Sequence, residues 1–394
     1  MQIKLYTPLN KDSWDSYVLN HPASTHCHLQ GWKDVIENAY GHKGYYFLAE
    51  EHSKTKGILP VFHFKSFLFG NHLVSMPFLN YGGILADDEQ TEIALLSEAV
   101  KLGQKLKAST IELRHTKPLS CLNALNSVNS MNRSTATLQN SNTNELQHGS
   151  PDVLPRTSSG AILKPQTKAD PINFTTKTHK VRLLLKLPPS KEELLKSFKS
   201  KLRSQISRPQ KEGMNAVIGG VELLDSFYEV FSINMRDLGS PVHSKKLFKQ
   251  ICYAFPQNIE IGVVDYENNH VAAGLIFCFR DTVEIPWASS LKQFNRFSPN
   301  MLLYWKLMEY ACDQGFKYFD LGRSSPDEGT QRFKEQWGAK PFPLYWHNIM
   351  LNGQPARNNE SEKSKYVMAI RYWKKLPLPI SNALGPLIRK HISL

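Results

Sequence analysis

Two short stretches in the second half of the chain contain the residues whose types and spacing suit chemistry. They are Phe319-Asp320-Leu321-Gly322-Arg323-Ser324-Ser325 and Arg332-Phe333-Lys334-Glu335-Gln336-Trp337-Gly338. The first predicts a strand followed by a polar loop, which places Asp320 and Arg323 at the carboxyl edge of the strand, where α/β sheets bind ligands. We therefore predict a catalytic site that contains Asp320, Arg323 and Lys334. The alternative is a structural ion pair between Asp320 and Arg323, with Trp337 in the core.

The elements that must position these residues alternate between helix and strand. In the first half, the predicted elements are helices around Trp14 and Trp32, strands at 45–49 and 57–64, a helix at 91–107 and a strand at 110–114. In the second half they are strands at 181–187, 259–265, 271–280, 282–288 and 318–321, a helix opened by the capping box Ser190-x-x-Glu193, and a helix from Pro299. This order predicts an α/β (α+β) fold with mixed sheets flanked by helices.

A faint internal repeat relates the two halves. Gly57-Ile58-Leu59 and Gly274-Leu275-Ile276 occupy the second strand of a predicted hairpin, and the strand at 110–114 follows a helix as the strand at 318–321 does. The repeat by itself indicates duplication only weakly, because any two βα units share some similarity.

Composition divides the chain into four segments. We expect a first domain at 1–120 and a second at 179–350. Residues 121–178 are rich in Ser, Asn and Thr and predict a disordered insertion. Residues 351–394 form a basic amphipathic tail, which we expect either to dock at a membrane surface or a partner, or to pack back onto the second domain.

The charge balance favours anionic partners. The chain has 48 Lys and Arg against 35 Asp and Glu, a net charge of +13, which attracts phosphates, nucleic acid or acidic membranes. Nothing in the sequence resembles a zinc finger, an RNA-recognition signature or a helix-turn-helix, so DNA is not an expected partner. The five cysteines are widely spaced and form no metal-ligand pattern, so no metal site is predicted. Because the sequence has neither a signal peptide nor a long apolar run, we expect a cytoplasmic protein. The alternative is a cytoplasmic protein with peripheral contact at the inner membrane.

Several motifs in order along the chain resemble the FemAB-like proteins, particularly the subgroup found beside exosortase and exopolysaccharide loci. Besides the two stretches above, they are His28-Leu29-Gln30-Gly31-Trp32, Pro77-Phe78-Leu79-Asn80-Tyr81-Gly82-Gly83 and Phe297-Ser298-Pro299-Asn300-Met301-Leu302. The resemblance covers nearly the whole chain outside 121–178. It implies a tandem pair of GNAT (acyl-CoA N-acyltransferase-like) folds. For the peptidoglycan-bridge members it implies transfer of an amino acid from aminoacyl-tRNA to an amine on a lipid- or nucleotide-linked muropeptide.

Such a transfer depends on cations that hold bulky anionic substrates, more than on a nucleophile. Lys199 and Arg203 correspond to the basic helix that opens the second half in the family, and we assign them to phosphate contacts. A solvated helix face is the alternative. We assign the remaining predicted substrate-binding positions to His28, Trp32, Tyr81 and Trp337.

The sequence does not determine the acyl donor. The stretch at 293–300 leads into a helix without a glycine, which is poorly suited to the close backbone approach that a CoA pyrophosphate needs. This favours a donor other than CoA without excluding acyl-CoA or an acyl carrier protein. No bound cofactor is expected, and the acyl donor is either aminoacyl-tRNA or an acyl-CoA or acyl carrier protein. Our main hypothesis is an N-acyl or aminoacyl transferase acting on a cell-wall or envelope-polysaccharide precursor. The alternatives are an acyl-CoA- or carrier-dependent N-acyltransferase on an amino sugar and a non-catalytic scaffold in polysaccharide export.

Overall fold

The structure of the chain is a computed structural model that describes residues 1–66, 69–122, 173–326, 328–351 and 360–393, with side chains from residue 367 onward in the last range. The insertion predicted at 121–178 lies, for the most part, outside the described residues.

The described residues of the first half include three α-helices and six strands. The helices are α1 (Lys11–Asn20), α2 (Gly31–Tyr40) and α3 (Glu89–Lys105). The strands are β1 (Gln2–Leu5), β2 (Gly44–Glu51), β3 (Lys54–Ser66), β4 (Gly70–Val74), β5 (Leu85–Ala86) and β6 (Thr110–His115). Helix α2 ends where Gly41 takes the left-handed conformation, with φ of 74°.

The described part of the second half contains the remaining elements. The strands are β7 (Asn173–Lys177), β8 (Val181–Lys186), β9 (Asn215–Gly219), β10 (Ile259–Tyr266), β11 (Asn269–Phe279), β12 (Thr282–Ser290), β13 (Tyr318–Ser324), β14 (Lys340–Pro343) and β15 (Tyr345–Met350). The helices are α4 (Lys191–Ser197), α5 (Ser200–Lys211), α6 (Leu224–Leu238), α7 (Lys245–Ala254), α8 (Pro299–Asp313), α9 (Gly329–Glu335), α10 (Glu360–Trp373) and α11 (Leu378–Arg389).

Apart from β5, the two sheets have the same pattern of paired strands. The first has the strand order β1-β2-β3-β4-β6-β15-β7, with β5 on β3, and the second has the order β14-β8-β13-β12-β11-β10-β9. Each contains one parallel pair, β4 with β6 and β12 with β13, joined through α3 and α8 respectively. The predicted α/β fold with mixed sheets is therefore confirmed, and the faint repeat in the sequence corresponds to equivalent strands.

Two strands belong to the first sheet although they lie outside the segment predicted as the first domain. β15 pairs with β6 and β7, so the end of the segment predicted as the second domain completes the first sheet. β7, which lies at the end of the predicted insertion, extends that sheet further. Strand pairing of this kind is made by backbone groups between residues far apart in sequence, so the side-chain pattern carries little sign of it.

The tail packs onto the body of the protein. The buried face of α11 lies on α6 and the segment after it, where Gly385 contacts Val242 so closely that an added Cβ would lie 2.9 Å from the Val242 nitrogen. Beyond α11, the Lys390 carbonyl accepts a hydrogen bond from His42 at 2.5 Å, and the Ser393 carbonyl accepts one from the Phe78 amide at 2.6 Å. The tail therefore contacts both halves. Within the described residues, none of the helices combines the length and apolar character needed to span a bilayer.

Candidate active site

A cleft opens where two parallel strands diverge. β12 and β13 pair in register from Thr282 with Tyr318 to Glu284 with Asp320, and then separate. Gly322, with φ of 72°, lets β13 turn away, and a side chain there would be strained in this conformation. The resulting cleft has a volume of about 600 Å³ and lies between the ends of both strands, α9 and the last turn of α11.

Three cationic side chains line this cleft. Arg323 comes from β13, Lys334 from α9 and Arg389 from the end of α11. Among the described residues that line the cleft there is no Asp or Glu. A cleft that has positive charges and low-dielectric walls concentrates anions, so the site suits a phosphate or carboxylate group.

Arg323 and Lys334 are held close together. The Lys334 ammonium donates to the Arg323 carbonyl oxygen at 2.7 Å. Burial lowers the pKa of Lys334 to about 8, and burial together with the nearby Arg114 lowers the pKa of Arg323 to about 10. The Nη1 atom of Arg323 is buried without a hydrogen-bond partner. The arginine thus keeps a donor for an incoming ligand.

Arg389 is a residue of this cleft that the sequence pattern did not single out. Its Nε lies 3.0 Å from Nε2 of His243, which is fully buried and has its pKa held well below the ordinary value by burial and by Arg389. Because Arg389 can only donate, Nε2 accepts, and the proton on Nδ1 faces the Tyr40 hydroxyl at 2.9 Å. A neutral histidine therefore orients the tail arginine.

Asp320 lies behind the cleft and does not line it. Its carboxylate accepts hydrogen bonds from Nε of Arg182 at 2.6 Å, from the Gly322 amide at 2.9 Å and from the Tyr81 hydroxyl. Burial raises the pKa of Asp320 while Arg182 opposes this shift, and the donors around it match an ionised carboxylate. The alternative prediction, an ion pair between Asp320 and Arg323, is wrong: Asp320 forms its ion pair with Arg182 from β8.

Glu284 makes a second buried ion pair beside Asp320. Its Oε2 lies 2.8 Å from Nε2 of His26, and its Oε1 accepts from the Asn80 amide at 3.2 Å. Burial opposes the charge of His26, but Cys27 and Glu284 raise the pKa of the imidazole to about 10. The ligand atoms of His26, Cys27 and Glu284 lie within 4.8 Å of one another, the spacing of a metal site. Because His26 and Glu284 bond each other directly, we interpret this group as an ion pair.

A smaller cleft of about 320 Å³ lies at the opposite end of the same strands, between the two halves. Tyr81, Arg182, Glu284, Lys117 and Arg280 contribute to its walls. The buried carboxylates and their partners thus separate two clefts, both of which contain cations.

The other predicted substrate-binding residues lie away from the larger cleft. His28 is buried, accepts from the Thr25 amide at 3.1 Å, and has its pKa lowered to about 4 by burial. Trp32 is buried and donates to the His26 carbonyl at 2.9 Å. Lys199 and Trp337 line a separate groove beside α4, and Arg203 is exposed on α5. The structure therefore brings Arg323 and Lys334 together and distributes the remaining predicted residues elsewhere.

In the first half, the position that corresponds to the cleft is closed by Arg114, which connects β6 to the segment after β4. β4 and β6 pair from His72 to Val74, after which Nη1 of Arg114 donates to the Met76 and Leu79 carbonyls at 2.9 and 2.8 Å. Arg114 is fully buried and also bonds Ser393 of the tail. The first half thus uses an arginine to hold its two strands together at the position where the second half opens.

Comparison with known proteins bears on the fold. A profile of the acetyltransferase (GNAT) domain matches residues 196–335, which include both strands of the larger cleft and α9. The crystal structure of FemX superimposes with a TM-score of 0.59 at 16% identity, covering 88% of this chain and 97% of that chain. The chain has a FemAB-like, tandem GNAT fold. Of the three cationic residues that line the larger cleft in this FemAB-like fold, Arg389 comes from outside the matched segment.

Two further solved structures have a similar fold. The C-terminal domain of a putative lysylphosphatidylglycerol synthetase from Agrobacterium fabrum aligns with a TM-score of 0.51 at 10% identity, over 92% of this chain and 95% of that one. A conserved protein of unknown function from Bacteroides thetaiotaomicron aligns with a TM-score of 0.51 at 12% identity, over 89% of this chain and 99% of that one. Among curated protein sequences, none matches this chain. Both likenesses to solved structures support the assignment of the fold.

Proposed function

We propose that the protein is an N-acyl or aminoacyl transferase that modifies an amine on a cell-wall or envelope-polysaccharide precursor. The observation that carries the proposal is the cleft between the diverging strands β12 and β13, where Arg323 and Lys334 lie together in the GNAT segment. Their positive charges suit the two anionic substrates that such a transfer requires.

The chemical step follows from this arrangement. The acceptor amine attacks the carbonyl carbon of the donor, forming an N–C bond as the C–O bond of an ester donor, or the C–S bond of a thioester, breaks. The surplus proton of the amine passes to the leaving oxygen or sulfur. We assign the Lys334 ammonium to the oxyanion that develops on the carbonyl oxygen, and Arg323 to a phosphate or carboxylate that its planar guanidinium holds through two hydrogen bonds.

Asp320 enters this proposal as a positioning residue. It accepts from the Gly322 amide, and Gly322 begins the turn that carries Arg323 into the cleft. Tyr81 and Arg182 hold Asp320 in turn. His28 and Trp32 fix the loop that presents His26 to Glu284, so we propose that they act through this loop.

Aminoacyl-tRNA is the donor that we favour. The segment before α8 contains no glycine and ends with Ser298 in the left-handed conformation, with φ of 60°, so it lacks the glycine-rich loop that holds a CoA pyrophosphate. The similarly folded synthetase domain is named for an aminoacyl lipid, which also favours an aminoacyl group. We propose that Lys199 and Arg203 contact phosphates of the donor, with Trp337 forming the wall of the groove beside Lys199.

Parallel incubations test the proposal. The purified protein is mixed with aminoacyl-tRNA, acetyl-CoA or an acyl carrier protein, each with a nucleotide-linked muropeptide or an amino sugar, and mass spectrometry identifies the donor consumed and the product. We expect consumption of aminoacyl-tRNA that is lost in Lys334→Ala and retained in Lys317→Ala, a change at an exposed lysine outside the cleft. Consumption of none of the donors would instead favour the scaffold alternative, and equal rates in both variants would remove the cleft from the reaction.

A further inference from the structure

The C-terminal helices α10 and α11 expose apolar side chains that have no part in the proposed reaction. Helix α11 has a buried face and an exposed apolar face. Ser381 and Gly385 are buried against the body, whereas Ile380, Leu384 and Leu387 are 46%, 43% and 58% exposed. The spacing of these three residues, i, i+4 and i+7, places them in one stripe along the helix.

Helix α10, which precedes α11 in the chain, also exposes apolar side chains. Val367, Met368 and Tyr372 are exposed there as well. We call these three residues, together with Ile380, Leu384 and Leu387, the outer face. Soluble proteins rarely leave a run of large apolar side chains uncovered, and such surfaces usually mark a contact with a membrane or another protein.

The charge around the outer face identifies its occupant. Residues 367–394 contain five Lys and Arg and no Asp or Glu, and Arg371, Lys374 and Lys375 are exposed beside the apolar residues. Basic side chains at the border of an apolar helix face match anionic lipid headgroups. A second copy of the chain would bring two such basic surfaces together, which like-charge repulsion disfavours. We infer that the C-terminal segment docks the protein on the surface of an anionic membrane through the outer face.

Docking of this kind also has a consequence for the cleft. Arg389, in the last turn of α11, lines the cleft, while the opposite side of the same helix belongs to the outer face. A helix is only about 10 Å across, so docking brings the cleft close to the headgroup layer. If the proposed transferase function holds, this location favours an acceptor carried on a lipid through a phosphate. The docking itself does not depend on that function.

Vesicle flotation tests the inference with the full chain. We expect the protein to float with vesicles of phosphatidylglycerol and phosphatidylethanolamine at low salt, and to stay in solution with phosphatidylcholine alone. The triple variant Ile380→Ser, Leu384→Ser, Leu387→Ser is expected to bind at least about tenfold more weakly, because three apolar side chains no longer enter the interface. Lys374→Glu with Lys375→Glu is expected to weaken binding and to remove its dependence on anionic lipid.

The matched control is Tyr253→Ser, which removes an apolar side chain that is 84% exposed on α7, away from the outer face. It is expected to bind like the unaltered chain. Thermal unfolding and turnover of a soluble amine acceptor on the same preparations separate a loss of docking from a loss of folding or of catalysis. The inference is overturned if the unaltered chain ignores anionic vesicles, if the triple variant floats as well as the control, or if light scattering shows a dimer that the triple variant dissociates.

Discussion

Glu284 and Asp320 occupy facing positions on the parallel strands β12 and β13, immediately before the strands separate. Both carboxyl groups are fully buried and point toward the first half, where His26 pairs with Glu284 and Tyr81 donates to Asp320. Two adjacent carboxylates repel each other. Arg182 of the same sheet offsets the charge of Asp320, whereas His26 and Tyr81 reach the carboxylates from the first half and so tie the halves together. The ion pair between His26 and Glu284 therefore joins the two halves at the point where the cleft opens.

We expect Asp320→Asn to destabilise the fold. The substitution leaves the Arg182 guanidinium buried without its carboxylate, and loss of one partner of a buried ion pair costs on the order of 3 kcal/mol in the free energy of unfolding. Chemical denaturation measures this change. The double variant Asp320→Asn, Arg182→Gln should recover part of the loss, and additive effects of the two substitutions would contradict a direct pair.

Arg323→Lys is expected to lower kcat/KM while leaving Tm nearly unchanged. The Nη1 atom of Arg323 has no partner in the protein to lose, and Lys cannot hold an anionic group through two hydrogen bonds. Removal of one such contact in an enclosed site typically costs about a hundredfold. Single-turnover rates and melting curves are measured on one preparation. A lower Tm with normal turnover would show that Arg323 has a structural role instead.

The pH dependence of turnover should reflect Lys334. Because burial lowers the pKa of its ammonium to about 8, the charged form that we assign to the oxyanion is lost as the pH rises through that value. We therefore expect kcat/KM to fall above about pH 8. In Lys334→Arg the side chain stays protonated, so any residual activity should persist at higher pH. A profile of Lys334→Arg that falls at the same pH would contradict the assignment.

The same group has an effect on stability with a defined sign. The pKa of Lys334 is lower in the folded chain than the roughly 10.4 of an unfolded lysine, so the unfolded chain binds more protons between these values. Its contribution to the free energy of unfolding is expected to increase as the pH rises from about 8 to 10. Denaturation of Lys334→Met beside the unaltered chain isolates this contribution, which the variant should lack.

Arg389→Ala is expected to lower kcat/KM mainly through KM, because Arg389 contributes a cation at the rim of the cleft and takes no part in the bond changes. His243→Phe should cause a smaller loss of kcat/KM, because His243 accepts a hydrogen bond from Nε of Arg389 and the substitution leaves this arginine less well oriented. Arg389→Lys should recover part of the affinity for an anionic substrate. Initial rates over a range of substrate concentrations provide the test, and an unchanged KM in Arg389→Ala would exclude this role.

The sequence predicted most elements of the fold because its signals are local. The strand expected at 110–114 is β6 (Thr110–His115), and the helix expected at 91–107 is α3 (Glu89–Lys105). Arg323 and Lys334 were predicted to share a site, and both line the larger cleft. These residues lie within one strand, loop and helix, so their spacing along the chain already restricts their distance in space.

Other features depend on residues that are distant in sequence, and only the tertiary structure decided them. The partner of Asp320 is Arg182 on a neighbouring strand, and Arg389 reaches the cleft from the far end of the chain. A single basic residue in a tail looks the same in a sequence whether it faces solvent or a cleft. Long-range pairing arises from packing and backbone hydrogen bonds, which favour one arrangement of elements without leaving a periodic pattern in the side chains. The sequence alone therefore determined the type of fold and one segment of the site, while the packing of the two halves and the tail determined which charges meet there.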